Sequence, residues 1–306
     1  HDALPISYRV EGDVAVVEIV GALDTRGGWW WDGYDLIAQR TAAALADPKV
    51  KAVVLALDSP GGMAAGNLDC AQQLRALADA AGKPLVAHAG TMACSAAYAL
   101  ACAADHVVLT TDGAVGSIGT IATVYDRTEA NEKAGYDVRV VRSGPLKADP
   151  HPDVPLTDAS VARVRARINE LAATFAAWVS SRRPECRDPL SLQGAVVYGA
   201  DSVSKGLADA VGTHGLHIAV KPGHDSYLRS GLPQSIIARD GLEVNSKRGP
   251  SAGLDPSICL SAKSSQPSGS LPAPAPSVEA FFLRSRAVGT SWPCLRRSLR
   301  YQLTVA

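Results

Sequence analysis

The chain has 306 residues, and 47% of them are hydrophobic, which is enough to bury a sizeable core in one or two domains. Thirty lysines and arginines balance thirty aspartates and glutamates, so no net charge would draw the chain to nucleic acid or to an anionic membrane. The six cysteines show neither a CxxC pair nor the spacing of a secreted disulfide framework, which is typical of a reducing, cytoplasmic compartment.

The two ends of the chain differ in character from its middle. Residues 1–7 resemble a translated sequencing adapter and are predicted to be non-native; because the chain begins with His1, we interpret it as a fragment. Residues 221–306 contain a stretch rich in serine and proline and are predicted to be a disordered or non-native tail. No apolar run reaches the roughly 18 residues needed to cross a bilayer. The domain expected to fold is therefore 8–220.

Between these ends, strand patterns alternate with helix patterns in chain order. The predicted strands are Val14–Ile19, Val53–Leu57, Leu85–Ala89, His106–Leu109 and Val138–Val141, and the predicted helices are Trp31–Leu45, Leu68–Ala80, Ser95–Ala103 and Ala159–Ser180. The second strand is fully apolar and is expected to stop at Asp58, as a buried parallel strand would. The alternation indicates an α/β fold with short crossovers.

Two residues carry the chemistry that the sequence suggests. Ser95 lies among small residues that would let a peptide backbone come near, and Lys147 stands alone in a loop-like stretch. A serine hydroxyl is a weak nucleophile near neutral pH and needs a base, for which a desolvated lysine is one solution. From the residues alone, Ser95 could equally be a helix N-cap and Lys147 a solvated loop lysine.

A glycine turn, Asp58–Gly62, follows the apolar strand about thirty residues before Ser95. Its amide N–H groups could point at a developing oxyanion, or the turn could be a plain strand-to-helix connection. Asp58 is expected to cap this turn. The sequence has no metal-ligand spacing of histidines and cysteines and no phosphate-binding glycine loop, so neither a metal nor a nucleotide cofactor is expected.

Five short motifs follow one another in a fixed order: Asp58–Gly62, Ala93–Tyr98, Gly116–Gly119, Ser143–Lys147, and Val197–Gly199 with Gly206–Asp209. Together they resemble the signal peptide peptidase A family of Ser/Lys serine proteases. Within that family the resemblance is strongest to phage head-maturation capsid proteases of the protein C type. The resemblance runs from about Val14 to Gly212 and implies a ClpP/crotonase-like fold of repeated ββα units.

The resemblance also implies a role for each of five residues. Ser95 would be the nucleophile and Lys147 its general base, desolvated so that it can accept the serine proton. The amides of Gly62 and Ala96 would form the oxyanion hole, and the hydroxyl of Ser117 would orient the lysine.

The neighbouring Cys94 raises the question of a thiol nucleophile. In the register of the family it matches a small structural residue, and a free cysteine is usually a small buried hydrophobe.

The function that the resemblance implies is a serine endopeptidase of a phage or prophage, cleaving scaffold and capsid proteins in the host cytoplasm. It would form a homo-oligomer with active sites near protomer interfaces. One alternative is a cellular, membrane-associated signal peptide peptidase. Alternatives from other classes are a crotonase-like acyl-CoA enzyme, which would need neither Ser95 nor Lys147, and an inactive assembly module.

Overall fold

The computed structural model describes residues 8–28, 32–212 and 303–305. Its strands are β1 Arg9–Glu11, β2 Val14–Asp24, β3 Asp32–Gly33, β4 Ala52–Met63, β5 Leu85–Cys94, β6 His106–Leu109, β7 Ala114–Gly116, β8 Ile121–Ala122, β9 Val196–Tyr198, β10 Ala210–Val211 and β11 Leu303–Val305. Its helices are α1 Tyr34–Ala46, α2 Asn67–Ala81, α3 Ala96–Ala101, α4 Thr128–Lys133, α5 Asp158–Arg182 and α6 Gly199–Ser204, with a 3-10 turn at Pro189–Leu192.

The centre of the sheet has the order β1-β2-β4-β5-β6-β10. From β2 to β10 the neighbouring strands are parallel, and β1 is antiparallel to β2. Parallel neighbours require crossover connections, and α1, α2 and α3 supply them between β2, β4, β5 and β6. The predicted α/β class is therefore confirmed.

The two faces of the sheet bury different side chains. Along β4, Val53 and Leu55 belong to the large core that also contains the apolar residues of α1, α2 and α3, whereas Val54 belongs to a smaller cluster on the other face. Alternate residues of a strand point to opposite faces, so a continuous apolar run is what a strand buried on both sides requires.

Most predicted elements are present with ends shifted by a few residues, but two expectations are wrong. Residues Val138–Val141 form no strand, and Val141 is 95% exposed. β-Branched residues favour strands because they pack on neighbouring strands, and no strand pairs with this segment in the part of the chain described. The other exception is β4, which continues past Asp58 to Met63 with a register shift between Leu57 and Ser59.

The predicted non-native residues 1–7 lie outside the described residues, as does the predicted tail 221–306 apart from 303–305. Those three residues form β11, which pairs antiparallel with both β4 and β8. Among the helices that are described, none combines the length and the apolar character needed to cross a membrane.

Candidate active site

Ser95 lies at the sharp turn between β5 and α3. Its backbone has φ 55° and ψ −120°, a left-handed value of φ that costs a residue with a side chain of order 1–3 kcal/mol. The turn is held on both sides: Ser95 N donates to the Gly116 carbonyl at 2.8 Å, and Ala99 N donates to the Ser95 carbonyl at 3.1 Å. Strained strand-to-helix turns of this kind carry the nucleophilic serine in α/β-hydrolases.

The Ser95 hydroxyl does not cap the helix that it precedes. Its Oγ is fully buried and has no hydrogen-bond partner among the described residues. A buried hydroxyl without a partner costs about 1–3 kcal/mol of folding free energy. The fold therefore bears this cost at Ser95 without gaining a structural hydrogen bond. The interpretation of Ser95 as an ordinary N-cap is therefore wrong, and its hydroxyl is available to another group.

The end of β4 packs directly against this serine through Gly61. Gly61 has φ +106°, and a Cβ atom added to it would lie 2.7 Å from Ser95 Cβ and 3.0 Å from Ala96 N. Any side chain at this position would push the serine turn away. At Gly62 the obstacle is different, because a Cβ atom there would lie 2.0 Å from the carbonyl oxygen of Leu23 on β2. The contact with Ser95 therefore comes from Gly61, while the lack of a side chain at Gly62 lets β4 lie against β2.

The hydroxyl of Ser59 holds the glycine segment of β4 in place. It donates to the Gly21 carbonyl at 2.6 Å and accepts from Gly61 N at 3.2 Å. The expectation that Asp58 caps the turn is wrong: its carboxylate accepts a hydrogen bond from the Thr91 hydroxyl on the exposed side of the sheet. Successive residues of a strand point to opposite faces, so Ser59, the residue after Asp58, points to the other face of β4.

Ala96 is the first residue of α3, so its N–H has no acceptor within the helix. Its carbonyl accepts a hydrogen bond from Asn67 Nδ2 at 2.9 Å, and Asn67 is 2% exposed. This contact fixes the peptide beside Ser95 from the start of α2. Sequence reasoning missed Asn67, whose one signal was a polar amide directly before a predicted helix.

Ser117 occupies the position on β7 that corresponds to Ser95 on β5. The parallel register pairs Cys94 with Gly116, so each serine directly follows a paired residue. Ser117 also has a positive φ of 52°, and its N donates to the Ala195 carbonyl at 2.9 Å. The two serines therefore leave adjacent strand ends side by side.

Lys147 makes no hydrogen bond to this group in the part of the chain described. It is exposed, and its backbone N donates to the Gly144 carbonyl at 3.0 Å. Two residues later the chain is anchored, because Asp149 accepts a hydrogen bond from Ser160 at 2.7 Å and pairs with Arg163. These two contacts lower the pKa of Asp149. The fold thus brings together Gly61, Ser95, Ala96 and Ser117, and no hydrogen bond in the described residues joins Lys147 to the Ser95 hydroxyl.

The thiol beside the serine is poorly suited to nucleophilic attack. Cys94 is 6% exposed, and burial raises its pKa to about 11. The thiolate is the reactive form of cysteine, so Cys94 stays protonated near neutral pH. This agrees with its interpretation as a small buried residue.

Comparison with known proteins agrees with the resemblance that the motifs carry. Residues 78–220 match the model of peptidase family S49, which confirms the resemblance to that family over this part of the chain.

The relatives include two phage proteins. The chain is 33% identical over 211 residues to capsid assembly protease C of Escherichia phage lambda, covering 66% of this chain and 47% of that protein. It is also 33% identical over 208 residues to the head-tail preconnector protein GP5 of Enterobacteria phage P21, covering 66% of this chain and 41% of that protein. The chain thus spans less than half the length of these two relatives.

A cellular relative and a solved structure are also similar. Protease 4 of Salmonella typhi is 31% identical over 215 residues, which cover 66% of this chain and 33% of that protein. Among solved structures, a mutant of the 1510-N membrane-bound stomatin-specific protease matches with a TM-score of 0.41 and 14% identity, over 67% of this chain and 81% of that one.

Proposed function

We propose that this chain is a serine endopeptidase in which Ser95 is the nucleophile and Lys147 the general base. The observation that carries the proposal is the Ser95 hydroxyl: it is buried and unpartnered, on a strained turn, with Gly61 against its Cβ atom. A structural serine would use its hydroxyl in a hydrogen bond. A nucleophile needs the hydroxyl free for a base and for a substrate carbonyl.

The reaction would be acyl transfer through a covalent intermediate. Lys147 would take the Ser95 proton while Ser95 Oγ attacks a peptide carbonyl carbon, and the resulting oxyanion would accept hydrogen bonds from the amides of Gly62 and Ala96. The lysine ammonium would then protonate the departing amine. A water molecule, deprotonated by the same lysine, would then attack the acyl carbon, and the lysine ammonium would protonate Ser95 Oγ as the bond between Oγ and the acyl carbon breaks.

We further propose that the two catalytic residues come from neighbouring copies of the chain. Among the described residues no base lies within hydrogen-bonding reach of Ser95, and Lys147 is exposed on a segment that also carries the exposed apolar residues Val138 and Val141. A second copy packed on this segment would bury Lys147 and remove the water around its ammonium. Loss of that water is what allows a lysine to act as a base.

We propose the substrate class from the relatives. The two phage matches support a head-maturation role, with scaffold or capsid proteins as substrates. The similarity to Protease 4 supports a second candidate, a cellular peptidase that would use the same two residues on other proteins. Identification of portal, terminase or capsid genes beside this one would favour the head-maturation role.

The test of the nucleophile is labelling by a serine-directed fluorophosphonate, with the modified residue identified by mass spectrometry. We expect the adduct on Ser95, and about 100-fold slower labelling in Lys147→Ala, because loss of a general base costs this order of rate. Lys133→Ala, which removes another exposed lysine, is the control and should label normally. A crotonase-like enzyme or an inactive assembly module would give no Ser95 adduct.

A further inference from the structure

The pairing of β11 is unusual because this strand lies between two others. Thr304 is opposite Met63 of β4 on one side and opposite Ile121 of β8 on the other. Both pairings are antiparallel. Within the described residues β8 pairs with no other strand. Residues 303–305 therefore fill a slot with a strand edge on each side.

This slot leads to the candidate nucleophile. Val305 is opposite Gly62, and because β11 is antiparallel to β4 the chain runs from Met63 towards Gly61. Gly61 is the residue whose Cα faces Ser95. The other edge, β8, begins four residues after Ser117. An extended peptide in this slot would have its following residues directed towards the serine.

The chemistry of the slot fits an extended peptide. A strand that inserts between two edges is bound by main-chain hydrogen bonds on both sides, the mode known as β-augmentation. Such bonds do not depend on the side chains of the occupant, so any extended segment that runs antiparallel to β4 and β8 can compete for them. Exposed strand edges otherwise invite pairing with other chains.

We infer that residues 303–305 occupy the substrate slot of this peptidase as an intramolecular competitor. This inference rests on the proposed function, since the slot is a substrate site only if Ser95 is the nucleophile. Three residues bind weakly alone, but tethering gives them an effective concentration of about the millimolar range. A protein substrate would have to displace β11 before its own backbone could reach Ser95.

The direct test is binding of a fluorescent hexapeptide with the sequence of residues 301–306, measured by polarisation. We expect the peptide to bind the full chain about tenfold more weakly than a variant that ends at Arg300, because the tethered copy competes. In the full chain, Thr304→Pro should restore binding, since proline removes a ladder donor. Thr304→Val keeps that donor and is the matched control. Equal peptide affinity for all four proteins would overturn the inference.

Amide hydrogen exchange gives a second readout that does not depend on catalysis. In Thr304→Pro, the amides of residues 121–122 should exchange about tenfold or more faster than in Thr304→Val, because β8 loses its partner strand. Unchanged exchange would also contradict the inference. Cleavage of labelled casein separates the two proposals: peptide binding without cleavage would reject the proposed function, and cleavage with equal peptide affinities would reject β11 as a competitor.

Discussion

Gly61 and Gly62 are adjacent and chemically identical, yet their surroundings give them different tasks. The sequence predicted a turn at this position before Ser95, but in the structure both glycines lie within β4. It could not tell which glycine contacts the serine, because the answer depends on a register shift in β4 that no local pattern encodes. Ser59 and Asn67 were missed because each acts through a hydrogen bond to a distant residue. The partner of Ser59 lies 38 positions away and that of Asn67 lies 29 positions away.

The contact between Gly61 and Ser95 predicts the effect of a single methyl group. Gly61→Ala places a Cβ atom 2.7 Å from Ser95 Cβ at a φ of +106°. Strain and overpacking together should cost about 2–4 kcal/mol of unfolding free energy. Urea denaturation measures that cost, and fluorophosphonate labelling should slow about 100-fold because the serine turn moves.

The matched control is Gly82→Ala. Gly82 also has a positive φ, of +60°, but a Cβ atom there meets no atom within 4 Å. This variant should lose only about 1 kcal/mol and label at the normal rate. Equal effects at Gly61 and Gly82 would mean that backbone strain alone, without contact at Ser95, explains the loss.

At the scale of elements, the buried parallel strands and the crossover helices were predictable because their signals are local. The apolar runs of β4 and β5 and the helical spacing of α2 and α5 each lie within one segment of sequence. The segment Val138–Val141 has an equally good strand signal but no neighbour to pair with in the described chain. Strand formation requires a partner as well as propensity.

The motif Gly206–Asp209 has a structural role at this scale. Arg183, at the end of α5 and 7% exposed, binds both carboxylate oxygens of Asp209 at 2.7 and 2.9 Å. Asp209 also accepts a hydrogen bond from Val107 N at 2.7 Å. The pair therefore fastens the end of α5 to β6, in the sheet that carries the serine turn.

Replacing Asp209 tests this fastening. Asp209→Asn keeps the shape of the side chain but removes its charge beside Arg183, and should lower the free energy of unfolding by about 2–3 kcal/mol. Asp137→Asn is the control, because its partner Arg139 is 82% exposed, and such surface pairs contribute about 0–1 kcal/mol. Urea denaturation compares the two variants. Equal losses would show that the Arg183 pair does no more than a surface pair.

At the scale of the whole molecule, the features beyond the reach of the sequence are those that join distant parts of the chain. The pairing of residues 303–305 with β4 spans about 240 positions, and nothing in the composition of the predicted tail indicates it. The lack of a hydrogen bond between Lys147 and Ser95 in the described residues was not visible from local sequence patterns, although the resemblance implied active sites near protomer interfaces. The boundary at residue 220 and the non-native origin of residues 1–7 stay predictions.

The central claim is that Ser95 and Lys147 together catalyse peptide cleavage, each supplied by a different copy. Its most direct test is cleavage of fluorescein-labelled casein by Ser95→Ala, by Lys147→Ala and by an equimolar, co-refolded mixture of the two. Each variant alone should be inactive, and the mixture should recover about a quarter of the native rate, since one interface in four would pair an intact serine with an intact lysine. No recovery would contradict the shared site, and full cleavage by Ser95→Ala would contradict the nucleophile itself.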